Sequence, residues 1–337
     1  MLFRSDHAPE VDLVRTETAR RITQPRDLTV LIVDKFEPSG VAGLEAIGAT
    51  VIYNPDLSGD LLVNTVATVK PDVLIVRGTK IDAATIAGST IRLSVRAGAG
   101  LNTIDVDAAR RAGIVVRNCP GLNAIAVAEL TMGLILALDR RIAANIAELQ
   151  AGHWNKREFA HARGLFGRTL GLIGFGRIGE EVAVRARAFG MRVLAWSRRF
   201  STGAATPPHG VTAIATPADL AAHSDVLSVH LALTPETRGF VDRAILERLP
   251  RDAMFVNTAR ADVVNAAALA EAIRHRGLRV ALDVWSAEPE QGEGTIDDPL
   301  IHLPNVIGTH HIGGSTDQAQ EAIAEEVVRI IRDWSTT

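Results

Sequence analysis

Three glycines follow directly on a predicted buried strand. The run Thr169–Ile173 leads into Gly174-Phe175-Gly176-Arg177-Ile178-Gly179, and a helical pattern continues to about Phe189. Each glycine has its own physical task. One makes the tight turn, one lets the backbone approach a pyrophosphate, and one lets helix and strand pack closely. The helix that opens there offers unpaired amides and a positive dipole end to phosphate oxygens. A bare Gly-x-Gly-x-x-Gly is weak evidence, but between a strand and a helix it points strongly to a dinucleotide. The feature demands a parallel sheet covered by helices.

The remaining sequence is compatible with that demand. Leu28–Val33, Asp72–Val76, Leu93–Arg96 and Gly113–Val116 read as strands, separated by helix-length stretches such as Asp60–Lys70 and Asp105–Ala112. A second series comprises Arg192–Trp196, Val226–His230, Ala253–Asn257, Val280–Val284 and Asn305–Gly308. Between the series, a single long helical pattern runs from Asn123, a suitable N-cap, to about Ala151. A terminal helix runs from about Thr316 to Trp334. At 337 residues the chain exceeds one simple core. The pattern predicts two doubly wound parallel-sheet α/β domains with a cleft between them. Residues 28–120 and 305–337 form one, residues 121–304 form the dinucleotide-binding one inserted in it, and residues 1–27 are an N-terminal extension.

A net charge of −3 gives no reason to expect nucleic acid or an anionic membrane as partner. The longest apolar stretch, around Leu130–Leu138, lies between Glu129 and Asp139 and is too short to span a bilayer. The first ten residues lack the apolar core of a signal peptide. The single cysteine, Cys119, allows no intrachain disulfide, and the expected compartment is the reducing cytoplasm. No His, Cys and Asp cluster has ligand spacing, so no metal is expected.

Where an acidic residue commonly binds the ribose hydroxyls, after the second strand of such a fold, this chain has Ser197-Arg198-Arg199. Ser197 leaves room for a 2′-phosphate, and Arg198 or Arg199 could pair with it, which tilts the cofactor from NAD toward NADP. The alternative is a solvated arginine pair with NAD bound. Three further strands each end in a reactive residue: Arg260 after Ala253–Asn257, Glu288 after Val280–Val284, and His311 after Asn305–Gly308. Ligands of open parallel sheets bind at such ends. A guanidinium suits a carboxylate and keto oxygen, an imidazole suits proton transfer near neutral pH, and a neighbouring carboxylate would orient the ring. Hydride transfer at C2 of a small hydroxy acid needs these groups.

From about residue 28 to 334 the chain resembles the D-isomer-specific 2-hydroxy acid dehydrogenase family. The motifs are Arg96-Ala-Gly98-Ala-Gly100, Asn118-Cys-Pro120, Ala126-Val-Ala-Glu129, the glycine loop, Val229-His230-Leu231, Asn257-Thr-Ala-Arg260, Leu282-Asp283-Val284, Glu288-Pro289 and His311-Ile-Gly313. The resemblance implies a Rossmann cofactor domain inserted in a flavodoxin-like substrate domain, and Arg260, Glu288 and His311 as catalytic residues. It implies Arg177, Ile178, Ser197, His230, Thr237, Thr258, Ala259, Asp283 and Gly313 beside the cofactor, with Gly98 and Ala99 near the substrate. It also implies a homodimer built largely through the cofactor domain.

Val76-Arg77-Gly-Thr79-Lys80 and Arg96 resemble the members that act on a phosphorylated acid. Arg77, Lys80 and Arg96 could supply the positive charge such a substrate needs. The alternative leaves Lys80 solvated and Arg77 on a carboxylate alone. The chain departs from the family at Ala261, Asn265 and His310, and in a longer loop at Gln291-Gly-Glu-Gly-Thr295. These departures bear on substrate choice more than on hydride transfer. No regulatory domain is expected beyond the terminal helix. The rival expectations are an NADPH-dependent glyoxylate or hydroxypyruvate reductase and, in another class, a dinucleotide-sensing corepressor of the same fold.

Overall fold

The computed structural model describes residues 28–289 and 293–336; the expected N-terminal extension and Gln291 and Gly292 of the longer loop lie outside them. The first sheet holds β1 (Thr29–Ile32), β2 (Thr50–Tyr53), β3 (Val73–Val76), β4 (Leu93–Arg96) and β5 (Val115–Asn118). The second holds β6 (Thr169–Ile173), β7 (Arg192–Trp196), β8 (Thr212–Ala213), β9 (Val226–Val229), β10 (Met254–Asn257), β11 (Arg279–Leu282) and β12 (Val306–Gly308). The first has the order β2-β1-β3-β4-β5, the flavodoxin-like arrangement. The second has the order β12-β11-β10-β9-β6-β7-β8, the doubly wound dinucleotide order with β12 added at one edge. Every strand pair is parallel.

Parallel strands buried on both faces are apolar almost throughout, with alternate residues serving opposite layers. Val30 and Ile32 pack into one core of the first sheet, and Leu31 and Val33 into the other. The terminal helix, Asp317–Ser335, sends Ile323, Ala324, Val327 and Ile331 into the first of these cores. It therefore closes the first sheet. The return to that sheet was expected at residue 305. However, β12 pairs with β11, so the chain leaves the second sheet only after Gly308.

Two further expectations are corrected. The long helix breaks into Ala124–Arg140 and Ile142–Gln150, because Arg141 adopts a left-handed backbone with φ of 50°. Its guanidinium pairs with Glu158 at 2.6 Å and lies over the Phe159 ring, so contacts beyond the helix stabilise the break. Asn123 makes no side-chain capping bond; its Oδ1 is buried without a partner, and its side chain lies against Gly314. Asp105 does cap, accepting from the Ala108 amide at 2.8 Å. Asn265, one of the family departures, caps Ala266–Arg276 by accepting from Ala268 at 3.0 Å.

Register sets the site. Ile173 pairs with Val229, Val229 with Asn257, Asn257 with Leu282, and Leu282 with Gly308. Gly174, His230, Thr258, Asp283 and Thr309 therefore leave the sheet side by side at its C-terminal edge. The opposite edge is locked by Asp139 and Arg168, 3.0 Å apart with side chains 1% and 5% exposed, and the Gly164 amide also donates to Asp139. Asp139→Ala would remove the close partner and leave the buried guanidinium only its longer carboxylate contact, with Asp225 at 3.9 Å. It should lower the unfolding free energy by about 3–5 kcal/mol in denaturant titration; a loss below about 1 kcal/mol would show the pair to be dispensable.

Candidate active site

The glycine turn has the form a dinucleotide requires. Gly174 has φ of 92°, and a side chain there would strike the His230 carbonyl. Gly176 faces open space, and a side chain on Gly179 would press on the Gly174 carbonyl. The helix Arg177–Ala188 starts at Gly176 without a side-chain cap, leaving its first amides available to an anion. A cleft of about 380 Å³ opens beside the turn, lined by residues that include Gly174, Gly176, Trp196, Ser197, Arg198, Arg199, His230, Glu236 and Thr237. These residues fit a dinucleotide.

Within the cleft, Ser197 caps the short turn Arg198–Ser201. Arg199 donates to the Phe175 carbonyl at 3.3 Å, while Arg198 faces the charge of Glu236. His230 pairs through Nε2 with the Ser228 hydroxyl at 2.9 Å, and burial pushes its pKa down to about 4. Thr237 shapes its own loop, donating to the Ala232 carbonyl at 2.6 Å and accepting from the Thr234 amide at 2.7 Å. The Thr258 hydroxyl meets that of Thr131 at 3.0 Å. Ile178 forms the first turn of the helix, where Arg177 reaches back to donate to the Pro120 carbonyl at 2.9 Å.

The expected reactive trio comes together at the same edge. His311 Nδ1 lies 2.7 Å from Glu288 Oε2, and the other Glu288 oxygen accepts from the Trp285 amide at 2.8 Å. Burial pushes the Glu288 carboxyl up. Hydrogen bonds from His311 and the Trp285 amide, with the charges of His311 and Arg260, outweigh it and hold the group below the ordinary 4.5. Below pH 4.5 the unfolded chain therefore takes up a proton that the folded chain resists. The group's contribution to stability is full above that window and drains away as pH falls through the lower folded value. Glu288→Gln should flatten the acid side of the Tm profile; an unchanged slope would show that Glu288 carries no such linkage.

Asp283 was expected beside the cofactor. Its oxygens accept from the Thr309 hydroxyl at 2.6 Å, the Ile312 amide at 2.9 Å and the Gly313 amide at 2.8 Å. It thus clamps the segment around His311, whose φ is 54°. Asn257, just before Thr258, accepts from Ala259 and donates to the Arg260 carbonyl, shaping the turn that carries Arg260. Arg260 lies against Gly100, where a side chain would crowd both its guanidinium and the Asn102 amide oxygen.

The first sheet supplies more cations. Arg96 donates through Nε to the Arg77 carbonyl at 3.1 Å, and its guanidinium fills the space a side chain on Gly98 would need. Burial, then the charges of Arg260 and Arg77, lower the Arg96 pKa to about 10. Burial also lowers the pKa values of Arg77 and Arg260. Arg96 thus lies near both Arg77 and Arg260. Lys80 is exposed on the loop after β3, and the Ala99 carbonyl is occupied by Asn118 at 2.5 Å. Sequence reasoning missed Asp34, which accepts from the amides of Arg77, Gly78 and Thr79 and from the Thr79 hydroxyl. It also missed Ser315, which accepts from Arg77 at 3.1 Å. Among the described residues no group of three or more His, Cys, Asp or Glu could hold a metal ion, and no helix is long and apolar enough to cross a membrane.

Fold and site together define a dinucleotide-binding α/β protein with a Glu288–His311 pair at the C-terminal edge of its sheet and with Arg96 near both Arg77 and Arg260. The profile of the D-isomer specific 2-hydroxyacid dehydrogenase NAD binding domain matches residues 132–313, more than half of the sequence. The chain belongs to the D-isomer-specific 2-hydroxyacid dehydrogenase family. It is 36% identical over 310 residues to D-3-phosphoglycerate dehydrogenase of Methanocaldococcus jannaschii, covering 90% of this chain and 57% of that relative. The chain thus spans little more than half the length of that protein. It is 41% identical over 264 residues to hydroxypyruvate reductase of Thermotoga maritima, covering 77% and 83% respectively. NAD+-bound 3-phosphoglycerate dehydrogenase of Entamoeba histolytica superposes with a TM-score of 0.76 at 25% identity, covering 92% of this chain and 96% of that one.

Proposed function

We propose that the chain is an NAD(P)-dependent D-2-hydroxy acid dehydrogenase and that its substrate is D-3-phosphoglycerate. The carrying observation is the 2.7 Å Glu288–His311 pair, on loops that leave the same C-terminal edge of the sheet as the glycine turn. A nicotinamide dinucleotide held by the glycine turn would supply or accept the hydride. Glu288 holds His311 by Nδ1, which leaves Nε2 to meet the substrate oxygen. His311 gives that oxygen a proton in reduction and takes one from the hydroxyl in oxidation. Arg260 binds the carboxylate and the reacting oxygen through its planar fork. Arg77 and Arg96, half-buried beside one another with Arg96 near Arg260, supply the further positive charge that a phosphorylated acid requires.

A second reading, an NADPH-dependent glyoxylate or hydroxypyruvate reductase, is favoured by Ser197-Arg198-Arg199 in the cleft. Initial rates at 340 nm separate the two. Phosphoglycerate oxidised faster than the small keto acids are reduced supports the first. Turnover of hydroxypyruvate and glyoxylate alone, with NADPH, supports the second. Ser197→Asp combined with Arg198→Ala should shift preference toward NAD; an unchanged preference would remove these residues from 2′-phosphate recognition. The exposed side chains of Ile142, Ile146 and Leu149, on one side of the helix Ile142–Gln150, favour a homodimer through that helix.

A further inference from the structure

We propose that Trp285 is the positioning residue that keeps Glu288 and His311 at working distance, a proposal that rests on the acid/base reading of that pair. Trp285 touches both segments that carry the pair. Its main-chain amide donates to Glu288 Oε1 at 2.8 Å, and its indole Nε1 donates to the Thr309 carbonyl at 2.9 Å. The ring is half-buried and lies across Gly308, where any side chain would collide with its six-membered edge. Gly308 ends β12, and the Thr309 amide donates to the Leu282 carbonyl at 3.0 Å, so Thr309 is the last residue in line with the sheet.

His311 lies two residues beyond that anchor, in a left-handed conformation uncommon for a non-glycine residue. Asp283 holds this segment in part, through Thr309, Ile312 and Gly313. Among the described residues its carboxylate bonds to that segment and not to Glu288. Trp285 reaches both, because one rigid residue is bonded to the glutamate through its main chain and to the histidine's segment through its ring. Phenylalanine or tyrosine could cover Gly308 but could not place an N–H on the Thr309 carbonyl.

The test uses the full-length enzyme and the substrate it turns over fastest. Trp285→Phe keeps a ring over Gly308 and removes the indole N–H. It should lower kcat roughly ten-fold and raise the solvent deuterium isotope effect on kcat, because the misplaced acid slows proton transfer. Dinucleotide affinity, read by fluorescence titration, should stay at the wild-type value. Gly308→Ala displaces the same ring without touching Trp285, so its effect should be similar and the double variant little worse than either single one. It also serves if Trp285→Phe does not fold. His311→Gln keeps the two readings apart. Wild-type turnover in His311→Gln overturns the acid/base assignment itself. Loss of turnover there, with a wild-type rate or an unchanged isotope effect in Trp285→Phe, overturns the role of Trp285 alone.

Discussion

Replacing His311 with alanine should lower kcat by roughly 10²- to 10⁴-fold, the range lost with a positioned acid/base. Dinucleotide affinity should stay near wild type, because the glycine turn and the residues around Ser197 and His230 form the cleft without His311. The loss should appear equally in kcat and kcat/KM, the mark of an interaction made in the transition state. Initial-rate kinetics and a fluorescence titration of the dinucleotide measure the two quantities. A variant with wild-type turnover would remove His311 from proton transfer. A variant that no longer binds dinucleotide would show that the 309–313 segment builds the cleft.

Arg260→Lys should cost roughly 10²- to 10³-fold in kcat/KM, comparable to the loss of a preorganised donor to a developing oxyanion. Charge is retained in this variant, so the test isolates geometry. One guanidinium nitrogen is committed to the Ala259 carbonyl at 2.6 Å, and another lies over Gly100. A lysine ammonium is a point charge on a flexible stem and cannot satisfy both directions. A loss smaller than about five-fold would mean that Arg260 contributes charge alone. Full activity would move the substrate's anchor to Arg77 and Arg96.

The strands that carry chemistry were legible because a buried parallel strand is a short apolar run, and the reactive residue is whatever follows it. Thr169–Ile173 and Arg192–Trp196 appear with the expected ends, and Arg260, Glu288 and His311 follow their strands as read. The break at Arg141 was not legible, since arginine favours helix and neither proline nor glycine marks the spot. The Thr50–Tyr53 strand was missed at the sheet edge, where its half-exposed residues give a weak apolar signal. β12 has only three residues, and nothing local tells which sheet it joins. Asp34 and Arg77 are 43 residues apart. The bond between them, like those of Asp283 and Trp285, arises only when strands come into register.

The common end line of β6, β9, β10, β11 and β12 works as a ruler. Each strand delivers one loop to a fixed place, and each loop is a cartridge: one carries the glycine turn, one His230, one Arg260, one Glu288 and one His311. Exchanging the first three retunes one contact each, whereas the loops after β11 and β12 are bonded together through Asp283 and Trp285 and change as a pair. Adding one residue inside a strand has the opposite effect, turning alternate side chains to the wrong face and pulling its loop off the line. Variation in this architecture is thus cheap beyond the ruler and costly along it, and a search for altered specificity belongs after Val229, Asn257, Leu282 and Gly308.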